Sequence, residues 1–350
     1  MLFKSYAIAT LVASVMAQPL GHQHRHHNEE RDVAVVTKTN VVVVTAGSGS
    51  EVTSSAVEVS TSPVETASAS SPTTAEDTSS ASGSSTSSTS TSESSGSSSG
   101  GNGITYTPYS NDGGCKSSSQ ISSEVGKLSS YDIIRLYGTD CNQVAAVLLA
   151  KGSSQKLFLG VSDVSDIAGG VKTISSAVNG NWDDIYTVSI GNELVNSGLA
   201  TPSQVKQYVQ SGKSALKAAG YTGPVVSVDT FIAILENKEL CDYSDYAAIN
   251  AHAFFDGGIK AANAGSWVLE QIESVGSTCS GKKVLVTESG WPTKGETNGV
   301  AVPSEANQKS AVSSIVDTCG NDVILFTAYN DLWKADGAYN AEKYWGIYSS

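Results

Sequence analysis

Two glutamates stand at the ends of apolar, β-branched segments in the second half of the chain. The first ends the segment Thr187-Val-Ser-Ile-Gly-Asn-Glu193, and the second lies within Val284-Leu-Val-Thr-Glu288-Ser-Gly-Trp-Pro. A run of this composition is typical of a β-strand buried on both faces. In a parallel α/β barrel the carboxyl ends of all strands meet at one face. Glu193 and Glu288 are therefore predicted to meet there.

Enzymes that cleave a glycosidic bond typically need at least two carboxyl groups that face each other across that bond. In the retaining route they lie about 5–5.5 Å apart; one donates a proton to the leaving oxygen and the other attacks the sugar. The first must be protonated at rest and the second ionised. Two negative charges held this close push their pKa values apart, so one pair can supply both states. Taken alone, either glutamate is more typical of a solvated charge or an ion pair.

Residues 103–350 alternate between predicted strands and helices, over the length of about 250 residues that a (β/α)8 barrel typically needs. A capping box with proline in its first turn, 201–204, begins one helix, and Ser304 begins another. This alternation predicts an α/β fold of the TIM-barrel class. A Rossmann-type sheet is disfavoured because no Gly-x-Gly-x-x-Gly follows the first strand. The predicted strands are 104–109, 133–137, 157–161, 185–190, 225–229, 247–251, 284–287 and 323–328.

Three segments of different composition precede the predicted barrel. Residues 1–17 combine a lysine, a short apolar run and small residues at a cleavage spacing, as in a secretory signal peptide. Residues 18–46 form a pro-segment or N-terminal extension, whose histidine cluster is either solvated, which we favour, or metal-binding. Residues 47–102 are almost wholly Ser, Thr, Gly, Ala and acidic residues, which predicts disorder. We expect an O-glycosylated spacer here, with a plain flexible linker as the alternative.

The net charge of −13 and the lack of a basic region argue against nucleic acid as a partner. The apolar run in residues 1–17 is too short to cross a bilayer, no other stretch is long and apolar enough to do so, and the chain end lacks a lipid-anchor signal. We therefore expect a secreted protein without a membrane anchor. We expect neither a metal nor another cofactor.

Five cysteines in a secreted chain suggest two disulfides and one free thiol. Cys115 and Cys141 follow the first two strands, so both are expected at the same rim and form one pair. Cys279 and Cys319 precede the last two strands at the other end, and we expect the second pair between them. Cys241 precedes the sixth strand and competes for Cys279; we expect it to be the free thiol.

Four segments together resemble the signatures of glycoside hydrolase family 17. They are Ser-Ile-Gly-Asn-Glu193, Val-Thr-Glu288-Ser-Gly-Trp-Pro, Gly-Ile-Thr-Tyr-Thr-Pro108 and Ile-Arg-Leu-Tyr-Gly-Thr-Asp140. The resemblance covers the whole of 103–350, and the combination of motifs is specific. It is strongest to the yeast cell-wall glucanases and glucanosyltransferases with a Ser/Thr-rich leader, that is, the soluble cell-wall proteins and the 65-kDa mannoprotein group.

The resemblance implies a role for each residue of the predicted centre. Glu193 would be the acid/base and Glu288 the nucleophile, while Asn192 would hydrogen-bond the sugar hydroxyl next to the reacting carbon. Arg135 would lie near the nucleophile and hold it ionised, because an adjacent cation favours the charged form. A structural ion pair within the barrel is the alternative role for Arg135.

Further side chains near the strand ends are predicted to contact substrate. Flat aromatic faces stack on the apolar faces of sugar rings and give a large contact area. His252 is expected at the rim after the sixth strand, with a buried core histidine as the alternative. Asp331 would either bind a hydroxyl or cap a loop. The predicted aromatic contacts are Tyr137, Phe254, Trp291, Tyr329 and Trp333. Phe255 also lies just past a strand end, and some of these aromatic residues are expected to belong to the core instead.

These residues and the resemblance predict a secreted, retaining β-1,3-glucan hydrolase, a glucanosyltransferase, or both, acting in a fungal cell wall. The residues by themselves indicate a retaining glycosidase, and the resemblance supplies the linkage. Its partner would be the β-glucan polysaccharide, with covalent or non-covalent association with the wall. The alternative is a non-catalytic, glucan-binding structural or adhesive wall mannoprotein.

Overall fold

The described part of the chain is a closed barrel of eight parallel strands. The computed structural model describes residues 103–348, in which the strands follow one another around the barrel in sequence order and the eighth pairs with the first. This arrangement confirms the predicted TIM-barrel fold. The predicted signal peptide (1–17), extension (18–46) and Ser/Thr-rich linker (47–102) lie outside the described residues.

All eight strands lie where the sequence predicts them, although their ends differ. The strands are β1 Gly103–Thr105, β2 Ile133–Arg135, β3 Lys156–Val161, β4 Ile185–Asn192, β5 Val225–Thr230, β6 Ala247–Asn250, β7 Val284–Ser289 and β8 Val323–Leu325. The first and last are shorter than predicted. In contrast, β4 and β7 each extend two residues further, so the sheet itself carries Asn192 and Glu288.

Within residues 103–348, eight α-helices surround the barrel. They are α1 Ser118–Gly126, α2 Gln143–Ala150, α3 Ile167–Val178, α4 Pro202–Ala218, α5 Phe231–Glu236, α6 Leu240–Tyr243, α7 Ala264–Thr278 and α8 Glu305–Cys319. The predicted capping box is present at the start of α4, where Thr201 and Gln204 satisfy each other's backbone N–H groups. Ser304 caps α8 as predicted. No helix within 103–348 is both long and apolar enough to span a membrane.

The core has two parts, one inside the barrel and one between the strands and the helices. Alternate residues of a strand point to opposite faces, so six of the strands, β2, β3 and β5 to β8, contribute to both parts. The outer part is the larger, as expected for helices that bury one apolar stripe against a sheet. The inner part comprises Ile133, Phe158, Val226, Val228, Tyr246, Ala248, Leu285 and Ile324. It fills the barrel below the polar groups at its mouth.

The disulfide between Cys115 and Cys141 is confirmed, whereas the second predicted pair is wrong. Cys279 pairs with Cys241, and Cys319 is a buried free thiol. The reason is the way α8 crosses α7. The Cys319 sulfur lies 3.5 Å from the carbonyl oxygen of Gly265, near the start of α7, while Cys279 follows the end of that helix. At about 1.5 Å per residue, these two sites lie about 20 Å apart.

Peptide mapping without reduction is expected to recover Cys241 linked to Cys279, with Cys319 as a free thiol. Replacing Cys241 by serine is expected to lower the free energy of unfolding by about 4 kcal/mol, because a cross-link over 38 residues no longer restricts the unfolded chain. The matched control, Cys319→Ser, keeps both cross-links and should cost much less. A Cys279–Cys319 peptide would contradict the pairing.

Candidate active site

Two β-bulges bring the glutamates to the mouth of the barrel. Between Ser189 and Asn192, β4 has one residue more than the facing segment of β5, and Glu193 follows directly. Between Val286 and Glu288, β7 likewise has one residue more than β6. An inserted residue bends the strand and redirects the side chains beyond it. Regular alternation alone would therefore assign the wrong faces to the carboxylates.

The backbone at Glu193 is held in an unusual conformation. Glu193 has a φ of 51°, in the left-handed region, and Gly191 has a φ of 76°. A non-glycine residue in that region costs about 1–3 kcal/mol, which the surroundings must offset. The buried Asp229 carboxylate accepts hydrogen bonds from the backbone N–H groups of Val195 and Asn196, at 2.9 and 3.1 Å. These contacts fix the segment that follows Glu193.

A buried arginine connects the polar groups at the mouth. Arg135, only 1% exposed, donates from Nη1 to Glu288 Oε1 and to the carbonyl oxygen of Thr287, both at 2.8 Å. Its Nη2 donates to Asn192 Oδ1 at 2.7 Å, and Nη1 lies 3.4 Å from Asn250 Oδ1. A guanidinium has no acceptor, so each of these partners must turn an oxygen towards it.

Asn250, the last residue of β6, is a site residue that the sequence analysis missed. Its Nδ2 donates to Glu193 Oε1 at 2.7 Å. Together with Arg135 it connects the two glutamates through two side chains. The available signal was a single polar residue at the end of the apolar strand Ala247–Asn250, the same pattern that identified Glu193 and Glu288.

The second oxygen of the Glu288 carboxylate faces a histidine. The Nε2 atom of His252 lies 3.4 Å from Glu288 Oε2. Aromatic rings surround the imidazole, with the centroids of Phe326, Trp345 and Phe255 at 5.3, 5.0 and 6.1 Å. This packing restricts the imidazole to a position beside the carboxylate.

The surroundings shift the pKa values of the two glutamates in opposite directions. Burial raises the pKa of Glu193, and the negative charge of Glu288 raises it further, to about 7. Burial would also raise the pKa of Glu288, but Arg135, His252 and Lys334 outweigh it and lower that pKa to about 2. Between these values Glu193 holds a proton while Glu288 is ionised. These are the states that the retaining route requires of its acid and its nucleophile.

A cavity of about 500 Å³ opens above the two glutamates. Six of the predicted site residues line it: Tyr137, Asn192, Glu193, His252, Glu288 and Trp333. Of the other lining residues, only Phe255 stands out in the sequence, as an aromatic residue just past a strand end. The remaining seven were not predicted. These are Thr107, Tyr109, Ser162, Phe326, Lys334, Glu342 and Trp345. Most lie in loops, whose course a strand pattern does not predict.

Four predicted site residues lie elsewhere. Arg135 is buried beneath the cavity and does not line it. Its hydrogen-bond partners Glu288 and Asn192 do line it. Phe254 and Trp291 are both 0% exposed and pack edge to face at 5.5 Å, so neither offers a surface to a sugar. Tyr329 lines a neighbouring groove and donates a hydrogen bond to the carbonyl oxygen of Glu124. These three aromatic residues support the cavity from behind or beside it.

Trp333 stands at the rim of the cavity and is held in place by its neighbours. It is 37% exposed, its Nε1 donates to Asp331 Oδ1 at 3.1 Å, and its ring contacts Tyr109 edge to face at 4.8 Å. Asp331 is buried, also accepts a hydrogen bond from Thr107, and forms an ion pair with Lys334. Of its two predicted roles, anchoring the loop is the one that these contacts support.

The residues described place no group of three or more His, Cys, Asp or Glu side chains where they could hold a metal ion. The polar groups of the cavity are instead engaged with one another, as the contacts of Arg135 and Asn250 show. The arrangement offers a protonated carboxyl and an ionised carboxylate to a substrate.

Comparison with known proteins places this architecture in a family. Residues 103–346 match the family model of the BtgE/BtgC glycoside hydrolase domain. The chain is 67% identical over 251 residues to the cell surface mannoprotein MP65 of Candida albicans, covering 71% of this chain and 66% of that protein. It is 64% identical over 251 residues to the Saccharomyces cerevisiae protein named "Probable family 17 glucosidase SCW4", covering 71% and 65% respectively. The match thus spans slightly less than two thirds of either relative.

A solved structure shows the same fold. An active-site mutant of Rhizomucor miehei β-1,3-glucanosyltransferase, in complex with laminaritriose, superposes with a TM-score of 0.62. It covers 72% of this chain and 94% of that one at 19% identity, a level that establishes a shared fold only. Taken with the family match, the barrel and its signature segments show that this chain belongs to the BtgE/BtgC glycoside hydrolases, within the family 17 group of fungal cell-wall proteins.

Proposed function

We propose that this chain is a secreted, retaining glycosidase or glucanosyltransferase that acts on β-1,3-glucan in a fungal cell wall. The observation that carries the proposal is the pair Glu193 and Glu288, linked through Arg135 and Asn250 and shifted to opposite pKa values at the mouth of the barrel. Such a pair supplies an acid and a nucleophile at the same pH.

The reaction proceeds in two displacements. Glu288 attacks the anomeric carbon and forms an ester with the sugar, while Glu193 gives its proton to the departing glycosidic oxygen. Glu193, now ionised, then takes a proton from an acceptor hydroxyl as that oxygen attacks the same carbon. The ester bond breaks and Glu288 returns to its ionised state. Water as acceptor gives hydrolysis, and a glucan hydroxyl gives transfer.

Asn192 is suited to hold a hydroxyl of the reacting sugar. Its Oδ1 is occupied by Arg135, which can only donate, so its amide nitrogen must point elsewhere. Asn192 also lines the cavity. An N–H group placed there beside the two glutamates matches the contact with the sugar hydroxyl that the family resemblance implies.

The lining of the cavity supports a sugar substrate. Trp333 is exposed at the rim, and the half-buried Phe255 lines the wall near His252, so flat aromatic surfaces face the space above the glutamates. Such surfaces stack on sugar rings. The linkage assigned, β-1,3, follows from the resemblance to family 17, as does the choice of wall glucan as substrate.

Location in the cell wall rests on the relatives. One is named a cell surface mannoprotein, and the signal peptide predicted for residues 1–17 agrees with secretion. Association with the wall, covalent or not, belongs to the same proposal. A wall protein that binds glucan without cleaving it is the competing function. Binding alone does not require two carboxyl groups with opposite pKa shifts, so the pair Glu193 and Glu288 favours catalysis.

Replacing Glu288 by glutamine is expected to lower kcat on laminari-oligosaccharides by about 10⁴-fold or more, because the amide cannot form the ester intermediate. Glu270→Gln, which alters an exposed carboxylate on α7, is the matched control and should leave kcat unchanged. The measurement is a time course of products from one defined oligosaccharide. Products longer than the substrate would show transfer, and shorter ones alone would show hydrolysis. Native protein that leaves the sugar unchanged would favour the binding function.

The pH profile of kcat/KM is expected to be bell-shaped. Activity requires Glu288 ionised, so it falls as the pH drops towards about 2; it also requires Glu193 protonated, so it falls as the pH rises through about 7. In Glu193→Gln, measured with an activated aryl glucoside whose departure needs no proton, the alkaline limb should disappear. A profile that stays flat from acid to alkaline pH in the native protein would refute the acid/base assignment.

A further inference from the structure

Asn250 occupies the centre of the polar network between the two glutamates. It is 1% exposed, ends β6, and hydrogen-bonds to groups from β2, β7 and the end of β4. We infer that Asn250 is a positioning residue, which holds the Glu193 carboxyl in place with a fixed N–H donor and thereby sets the pH at which that group loses its proton. This inference rests on the function proposed above.

Four contacts determine the orientation of the Asn250 amide. Its Oδ1 accepts from Thr287 Oγ1 at 2.7 Å and faces Arg135 Nη1 at 3.4 Å. Its Nδ2 donates to Glu193 Oε1 at 2.7 Å and also lies 3.4 Å from Asn192 Oδ1. If the amide were turned over, an N–H group would face the guanidinium, which cannot accept a hydrogen bond. Arg135 therefore compels Asn250 to present its nitrogen to Glu193.

A donor in this position acts on one protonation state of Glu193. A hydrogen bond from N–H favours the ionised carboxylate over the protonated form, so it lowers the pKa. It opposes burial and the charge of Glu288, which both raise that pKa. In the first displacement Glu193 gives up its proton. Asn250 then stabilises the carboxylate that must act as the base in the second.

The other charged groups near Glu193 come from several strands. They are Arg135 on β2, Asp229 on β5, His252 after β6 and Glu288 on β7. Of these, Arg135 hydrogen-bonds to the Asn250 side chain. A change confined to the Asn250 amide therefore leaves the charges around Glu193 in place, so a shift in its titration can be assigned to the lost donor.

Asn250→Leu removes this donor with little change in volume. Arg135 keeps its bonds to Glu288 Oε1 and to the carbonyl oxygen of Thr287, so the nucleophile remains ionised. The Thr287 hydroxyl can still donate a hydrogen bond to the carbonyl oxygen of Ile249, which lies 3.2 Å away. The variant thus removes the 2.7 Å contact with Glu193 together with the longer contacts, both at 3.4 Å, with Arg135 Nη1 and Asn192 Oδ1.

In Asn250→Leu the alkaline limb of kcat/KM is expected to move up by about one pH unit, since a hydrogen bond to a charged group is lost. The acid limb, set by Glu288, should not move. At pH 5 kcat should fall about tenfold or more while KM changes little, because the acid is less well oriented. If the pH profile of kcat/KM in Asn250→Leu coincided with that of the native protein, the inference would be overturned.

Gln271→Leu provides the matched control. Gln271 is a buried amide on α7 that donates to the Trp267 carbonyl oxygen and does not line the cavity. Its replacement removes a comparable buried hydrogen bond and should lower the melting temperature without moving either limb. A similar shift of the alkaline limb in this control would show that loss of stability, and not the Asn250 contact, causes the effect.

The native protein offers a test that needs neither folding of a variant nor turnover. In nuclear magnetic resonance spectra of the full chain, the side-chain NH₂ signals of Asn250 should shift with pH along the titration curve of Glu193. A constant signal would overturn the inference even if the enzyme turns over glucan normally. If the signal follows Glu193 but oligosaccharides are left unchanged, the proposed function fails and the Asn250 contact stands.

Discussion

A single guanidinium buried in the mouth of the barrel is the constraint on which the site depends. Removing such a charge from water costs several kcal/mol unless it is paired and hydrogen-bonded. Arg135 meets this condition with the carboxylate of Glu288 and with amide and carbonyl oxygens, while the rings of Tyr137 and Phe158 lie 4.6 and 5.4 Å from its carbon centre. Because Arg135 only donates, it determines which way Asn192 and Asn250 turn. Glu193 is oriented through the second of these.

Irregular backbone at the strand ends makes this network possible. The bulges before Asn192 and Glu288 interrupt regular alternation, and Glu193 adopts a left-handed conformation directly after the first of them. The buried Asp229 carboxylate offsets the strain by accepting backbone N–H groups of the following loop. Strain is thus concentrated at the residue proposed as the acid, and a rigid scaffold on the neighbouring strand supports it.

Aromatic residues serve two different purposes around the cavity. Phe254 and Trp291 are fully buried and pack behind the wall, where they contribute to the core. Phe255, Trp333 and Trp345 line the space itself. The buried layer keeps the lining in position, so that the surfaces available to a sugar are preorganised and little entropy is lost on binding.

Residue patterns along the chain were enough to predict the eight strands and the glutamates at the ends of β4 and β7, because buried strands and their polar ends differ locally in residue type. They did not distinguish Phe254 from Phe255, since only the course of the short turn Ala253–Asp256 decides which ring faces the cavity. The partner of Cys279 depended on how α8 crosses α7. The role of Asn250 emerged only when separate strands met at one buried guanidinium. Contacts between distant segments are set by packing in three dimensions, which no local pattern records.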